Sequence, residues 1–203
     1  MPKLTQKVAL VTGGSRGIGA AIAKRLASDG ASVAITYAKD ASAASAVVKA
    51  IERDGGKAIA IQADAADAEA VKSAIEQAVA TFGRLDVLVN NAGTAIPKPF
   101  EQSTLDEIDR MFNINVRGTM VATQAALKHM KSGGRIGAFR VCDGHVRSVR
   151  SQTLGDRGTN AARAARNECN LSFQFLRHLV FSYSSNLALC RSSRVCRASS
   201  GAA

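Results

Sequence analysis

VALVTGGSRGIGAAIAKRLAS, residues 8–28, decides the fold. Val8 to Val11 is a short apolar run, the pattern of a strand buried on both faces of a parallel sheet. Gly13, Gly17 and Gly19 follow in the spacing T-G-x-x-x-G-I-G. Ile18, Ala21, Ile22 and Leu26 then recur at helical spacing as far as a stop at Asp29-Gly30. This strand, glycine loop and helix in direct succession suit a pyrophosphate. The glycines let the backbone turn tightly and approach the ligand with no side chain between, and the free N–H groups of the first helical turn attract an anion. A glycine-rich string alone is a weak signal, but here it has the flanking strand and helix that the chemistry needs. Thr12, Gly13, Ser15, Arg16, Gly17, Ile18 and Gly19 are therefore the first candidate cofactor-binding residues.

The same alternation continues outward. Strands are predicted at Ser32–Tyr37, Lys57–Gln62 and Val87–Asn90, with helices at Ala41–Asp54 and Ala68–Phe82. One long helix is predicted over Thr104–Met130, with Ser103 or Thr104 as its N-cap before Glu107, and a fifth strand starts at Arg135-Ile136. Strands and helices alternating through short connections require right-handed parallel crossovers and a sheet covered on both faces. The expected fold is α/β, a doubly wound, Rossmann-like parallel sheet, incomplete on its C-terminal side.

Arg16 and the end of the second strand bear on the cofactor. A site choosing NAD places a carboxylate there to bond the ribose 2′-hydroxyl. This chain has Tyr37, then Lys39, with no acid before Asp40. Arg16 offers a planar fork that suits a 2′-phosphate. NADP(H) is thus expected in preference to NAD(H). Asp64 in QADAAD reads equally as a turn or cap residue and as a ligand contact. Asn115 sits inside a helical pattern that an asparagine disfavours, so a local reason for it is expected; Asn113 is the neighbouring alternative.

Three motifs in order, TGGSRGIG (12–19), NNAG (90–93) and NVRG (115–118), resemble the short-chain dehydrogenase/reductase family over about residues 6–136. The resemblance implies hydride transfer between NADP(H) and a small carbonyl or alcohol, most like reductases of 3-oxoacyl groups or small ketones. It implies that Asp64 bonds the adenine amino group with help from the Ala65 N–H. Asn91, Ala92 and Gly93 would line the cofactor cleft, and Asn115 would bend its helix and hold a proton-relay water. It also implies a homo-oligomer, although the contacts for one come from later helices than this pattern reaches. The family's general acid/base is a tyrosine tuned by the lysine of Tyr-x-x-x-Lys, with a serine orienting the substrate oxygen. The only tyrosines here are Tyr37 and Tyr183, followed four positions on by Ala41 and Leu187, and no lysine occurs after Lys131. Ser148 and Ser151 have no Tyr-Lys pair to work with and receive no role.

Composition locates a break. The 203 residues are 46% hydrophobic and 21% charged, with a net charge of +11. Residues 1–134 carry 16 Lys and Arg against 13 acids; residues 135–203 carry 11 Arg, no Lys and 3 acids. All four cysteines (Cys142, Cys169, Cys190, Cys196) also fall in the last third. So abrupt a change marks a fused segment or a shifted reading frame. The expected organisation is an NADP(H)-binding domain over 1–136 and a basic, poorly folded tail over 137–203. Within that tail, the cysteines with His145 and His178 lack metal-ligand spacing, so no metal site is expected. The arginines lack aromatic interleaving, so nucleic acid is not the expected partner. Neither a signal peptide nor a membrane span is read, and a cytoplasmic setting is expected. Two further readings stay open: a nucleotide-binding remnant without catalysis, and a basic-tailed interaction protein.

Overall fold

A computed structural model of the chain describes residues 4–96, 98–142 and 145–153. The elements run β1 (Val8–Val11), α1 (Gly17–Ser28), β2 (Ser32–Tyr37), α2 (Ala41–Arg53), β3 (Lys57–Gln62), α3 (Ala68–Phe82) and β4 (Val87–Asn90). After a short 3-10 turn at Phe100–Gln102 come α4 (Leu105–Phe112), a π-helical segment (Asn113–Gly118), α5 (Thr119–Leu127), β5 (Arg135–Cys142) and β6 (His145–Thr153). The strand order is β3-β2-β1-β4-β5-β6. The first five strands are parallel and β6 joins antiparallel to β5. This is the doubly wound, Rossmann-like arrangement that the alternation predicts.

The period-two alternation of the strands divides the core into two layers. Ala9, Val11, Val33, Ile35 and Val89 face α1 and α2, where they meet Ala23, Ala27, Ala44, Val47 and Ile51. Leu10, Ala34 and Leu88 face the other way, against Val71, Ala74, Ile75, Ala78, Ala122 and Ala126. All four residues of β1 are buried, as a central strand covered on both faces must be. The many alanines on the inner helix faces bring helix and sheet backbones close together. Among the described residues no helix is long and apolar enough to cross a membrane.

The structure departs from the sequence reading in one place and extends it in another. The single helix expected over Thr104–Met130 is α4, a π-helical turn and α5. Thr104 caps its start with a full capping box to Glu107. The widened turn falls on Asn113–Gly118, where tertiary contacts described below hold the backbone. The fifth strand starts at Arg135, where the sequence placed it, and extends to Cys142, with β6 pairing antiparallel to it. Gly137 and Arg140 interrupt its apolar pattern, so periodicity alone did not carry it. Residues 154–203, with Cys169, His178, Tyr183, Cys190 and Cys196, lie outside the described residues.

Asp86 ties three strands together at the end of the sheet remote from the glycine loop. Its Oδ1 accepts from Lys7 Nζ at 3.2 Å, and its Oδ2 accepts from the Val8 N–H at 3.0 Å and Arg84 Nε at 2.7 Å. Its backbone bonds Val8 and Arg135. Burial pushes the Asp86 carboxyl up, but the hydrogen bonds from Arg84, the Val8 N–H and Lys7 together outweigh it and hold the group below its ordinary value. A depressed folded-state pKa gives stability that is present above the unfolded value of about 3.9 and is lost as pH falls through the folded value. Asp86→Ala is therefore expected to lower unfolding stability by about 1–3 kcal/mol at neutral pH. The value should sit toward the low end because Lys7 and Arg84 are 45% and 44% exposed. Urea titrations of both proteins should show the gap closing below about pH 4. A pH-independent gap would mean that packing, not charge, is what Asp86 supplies.

Candidate nucleotide site

The loop between β1 and α1 is fixed by its neighbours. Gly13 and Gly17 hold φ of +64° and +54°, in the left-handed region that favours glycine. The Gly13 N–H donates to Thr36 Oγ1 at 3.1 Å and the Gly14 N–H to the Thr36 carbonyl at 2.9 Å, tying the loop to the end of β2. A Cβ on Gly14 would lie 2.6 Å from Ile35 Cβ. One on Gly19 would overlap the Gly13 carbonyl oxygen and Asn91 Nδ2. Arg16 is the N-cap of α1, and its guanidinium, a donor only, makes no capping hydrogen bond. No side chain caps the first turn, whose amides lie at the positive end of the helix.

The end of β4 is latched onto this loop. Thr12 Oγ1 accepts from the Asn91 and Ala92 N–H groups, both at 3.0 Å. Asn91 Nδ2 donates to the carbonyls of Thr12 at 2.9 Å and Gly13 at 3.0 Å. Thr12 and Asn91 thus shape the site through their hydrogen bonds to one another. Beyond them, Asn115 spans Thr94: its Oδ1 accepts the Thr94 N–H at 2.8 Å and its Nδ2 donates to the Thr94 carbonyl at 2.7 Å. The Asn115 carbonyl, in the widened turn, accepts from Thr119 Oγ1 at 3.2 Å. Gly93 lies against Asn115 Oδ1, and Gly118 lies against the Ala65 carbonyl with no room for a Cβ. These contacts explain the π turn, because the helix must lie close to two strand-end loops at once.

At the β3 end, Asp64 Oδ1 accepts the Ala66 N–H at 3.0 Å and its Oδ2 pairs with Arg110 on α4 at 3.3 Å. Tyr37 closes β2, its carbonyl accepting the Ala63 N–H at 2.8 Å. The nearest acid beyond it, Asp40, is used as the N-cap of α2, accepting from the Ala43 N–H at 2.8 Å. Arg16 and Lys39 are exposed and enter no salt bridge among the described residues. The glycine loop, Tyr37, Asp64-Ala65, Asn91–Gly93 and Asn115 all gather at the C-terminal edge of the parallel strands. β1 and β4 sit side by side there although the chain runs through β2 and β3 between them. Ligands of open α/β sheets bind at this crossover.

The family model for short chain dehydrogenases matches residues 7–148. The chain belongs to the short-chain dehydrogenase family. Among curated relatives, an uncharacterized oxidoreductase of Methylorubrum extorquens is 54% identical over 136 residues, covering 67% of this chain and 55% of the relative. A hydroxynaphthalene reductase of Aspergillus fumigatus is 48% identical over 133 residues, covering 66% and 49%. The chain spans about half the length of these curated relatives. A short chain dehydrogenase of Burkholderia cenocepacia, solved in complex with NADP, superposes with a TM-score of 0.66 at 58% identity, covering 67% of this chain and 56% of that one. A blue fluorescent protein from a metagenomic library, in complex with NADPH, gives a TM-score of 0.63 at 54% identity, covering 66% and 55%.

In this member of the family, the sequence signals missed four contributors. Thr36, Arg110 and Thr94 carry no motif and reach the site only through long-range contacts. Gly118 stood inside the quoted NVRG motif but received no role. The side chains of Ser148 and Ser151, on β6, fall outside the described residues, as does all of Tyr183. Among the described residues no three His, Cys, Asp or Glu side chains gather as a metal site.

Proposed function

We propose that the chain binds NADP(H) across the C-terminal edge of its sheet, as the nucleotide-binding part of a reductase acting on a small carbonyl or alcohol. One observation carries this reading. The glycine loop is held open-backed by Thr36 and Asn91, with no side-chain cap on the first turn of α1 and a cationic rim of Arg16 and Lys39. The pyrophosphate would lie over Gly13 to Gly19, with Ser15 and Ile18 flanking it. The 2′-phosphate would meet Arg16 and Lys39 beyond Tyr37, with Asp40 withdrawn into its helix cap. Asp64 and the Ala65 N–H would take the adenine, and Ala92 and Gly93 would face the nicotinamide half. When bound, the nicotinamide supplies a hydride donor or acceptor. The protein's own groups bind and orient it, and Asn115 fixes the Thr94 loop beside it.

Arg16→Ala is expected to weaken NADPH binding about 10- to 100-fold, the value of a charge-assisted hydrogen-bonded pair. NADH binding should change little. Fluorescence titration of both nucleotides against both proteins measures this directly. An equal loss for the two nucleotides would remove Arg16 from 2′-phosphate recognition and with it the preference for NADP(H).

A second reading is favoured by the sequence itself. Neither Tyr37 nor Tyr183 has a lysine four residues on. The 203-residue polypeptide would then hold nucleotide without transferring hydride. The two readings share the binding site and part only at turnover.

A further inference from the structure

Asn90 ends β4 and is 5% exposed. Its Nδ2 donates to Thr123 Oγ1 on α5 at 3.2 Å. Its Oδ1 is buried and meets no donor among the described residues. Exchanging the two ends of the amide does not help. The Thr123 hydroxyl can donate or accept, so it satisfies one end and leaves the other orphaned. Buried polar atoms in folded proteins are nearly always paired, with protein groups or with ordered water.

Asn90 also lines a small cavity between the sheet and the π segment. Leu10, Ile75 and Ile114 form apolar walls; Thr12 adds a hydroxyl already engaged with the Val89 carbonyl and the Asn91 and Ala92 N–H groups, and Thr36 and Thr119 add two more. Neither of these two is spent. Thr36 Oγ1 accepts the Gly13 N–H and keeps its own O–H to donate. Thr119 Oγ1 donates to the Asn115 carbonyl and keeps its lone pairs. We propose that this cavity is a binding site for a single internal water molecule, donating to Asn90 Oδ1 and Thr119 Oγ1 and accepting from Thr36. Three hydrogen bonds are usual for a buried water, and Asn90, Thr119 and Thr36 supply three. The water joins β4, β2 and the start of α5 directly behind the Gly13 and Asn115 contacts. It therefore sets the spacing of the two sides of the nucleotide site from within.

Water-oxygen magnetic relaxation dispersion counts long-lived internal waters in solution. Asn90→Leu, close in shape but without the acceptor, is expected to carry one fewer than the unaltered chain. An unchanged count overturns the proposal. If Asn90→Leu does not fold, a crystal structure of the unaltered chain at a resolution showing ordered solvent decides. A solvent peak within hydrogen-bonding distance of both Asn90 and Thr36 supports the site. A dry cavity, or a protein donor on Asn90 Oδ1, refutes it.

Discussion

Gly19→Ala is expected to raise the NADPH dissociation constant about 100-fold or more, equivalent to about 2.7 kcal/mol. The added methyl would meet the Gly13 carbonyl and Asn91 Nδ2, which are bonded to each other at 3.0 Å. Neither is the free end of a flexible chain. One belongs to the phosphate loop itself and the other is held on the Thr12 and Gly13 carbonyls. Relief requires the loop to move off β4, which breaks the surface presented to the pyrophosphate. Overpacking of this kind costs about 1–3 kcal/mol in well-packed sites, before the lost ligand contacts are counted. Gly17→Ala provides the contrast. Its Cβ would meet nothing within 4 Å, so only the left-handed backbone is strained. That costs about 1–2 kcal/mol, and a loss of roughly tenfold should follow. Calorimetric titration of both variants, with thermal melts to confirm folding, checks the ranking. Equal losses would mean that the Gly19–Gly13–Asn91 contact does not govern nucleotide binding.

Turnover gives the second large effect. General acid–base catalysis by a positioned side chain contributes about 100- to 10,000-fold to rate. This chain contains no tyrosine with a lysine four residues on. Arginine does not substitute for that lysine, because its charge is fixed and its geometry differs. The purified polypeptide is accordingly expected to bind NADPH yet oxidise it with a panel of ketones no faster than the Gly19→Ala control. Ketone-dependent oxidation above that control would show that other residues supply the proton, and would restore the reductase reading to the chain as written.

How much of this was legible depended on the range of the interactions. The strand–helix alternation and the phosphate loop lie in local patterns, and β1 to β4 fall where periodicity placed them. The site's supporting contacts are remote in sequence. Thr12 and Asn91 are 79 residues apart, Asp64 and Arg110 are 46 apart, and Asn115 meets Thr94 across 21. The π segment shows the difference most clearly. Its helical periodicity runs unbroken from Thr104 onward, and the sequence marks Asn115 as out of place. What widens the turn is the approach of Thr94 and of the Ala65 carbonyl, which no local window contains. The fifth strand was legible only at its start, because Arg140 and Gly137 disguise a strand whose register is set by pairing with β4.

The placement of β1 at the centre of the sheet also orders events during synthesis. On one side, β1 and its loop find β2 within 23 residues, as the Gly13–Thr36 bond records. On the other, the partner is β4, and the Asp86–Val8 bond closes a span of 78 residues. The first three strands can therefore assemble from local crossovers as the chain emerges, while the far edge of β1 stays unpaired until β4 follows. Lys7 stands at one end of that waiting edge and the glycine loop at the other. The half of the protein that carries the glycine loop is built first, and the loop is latched only when Asn91 arrives.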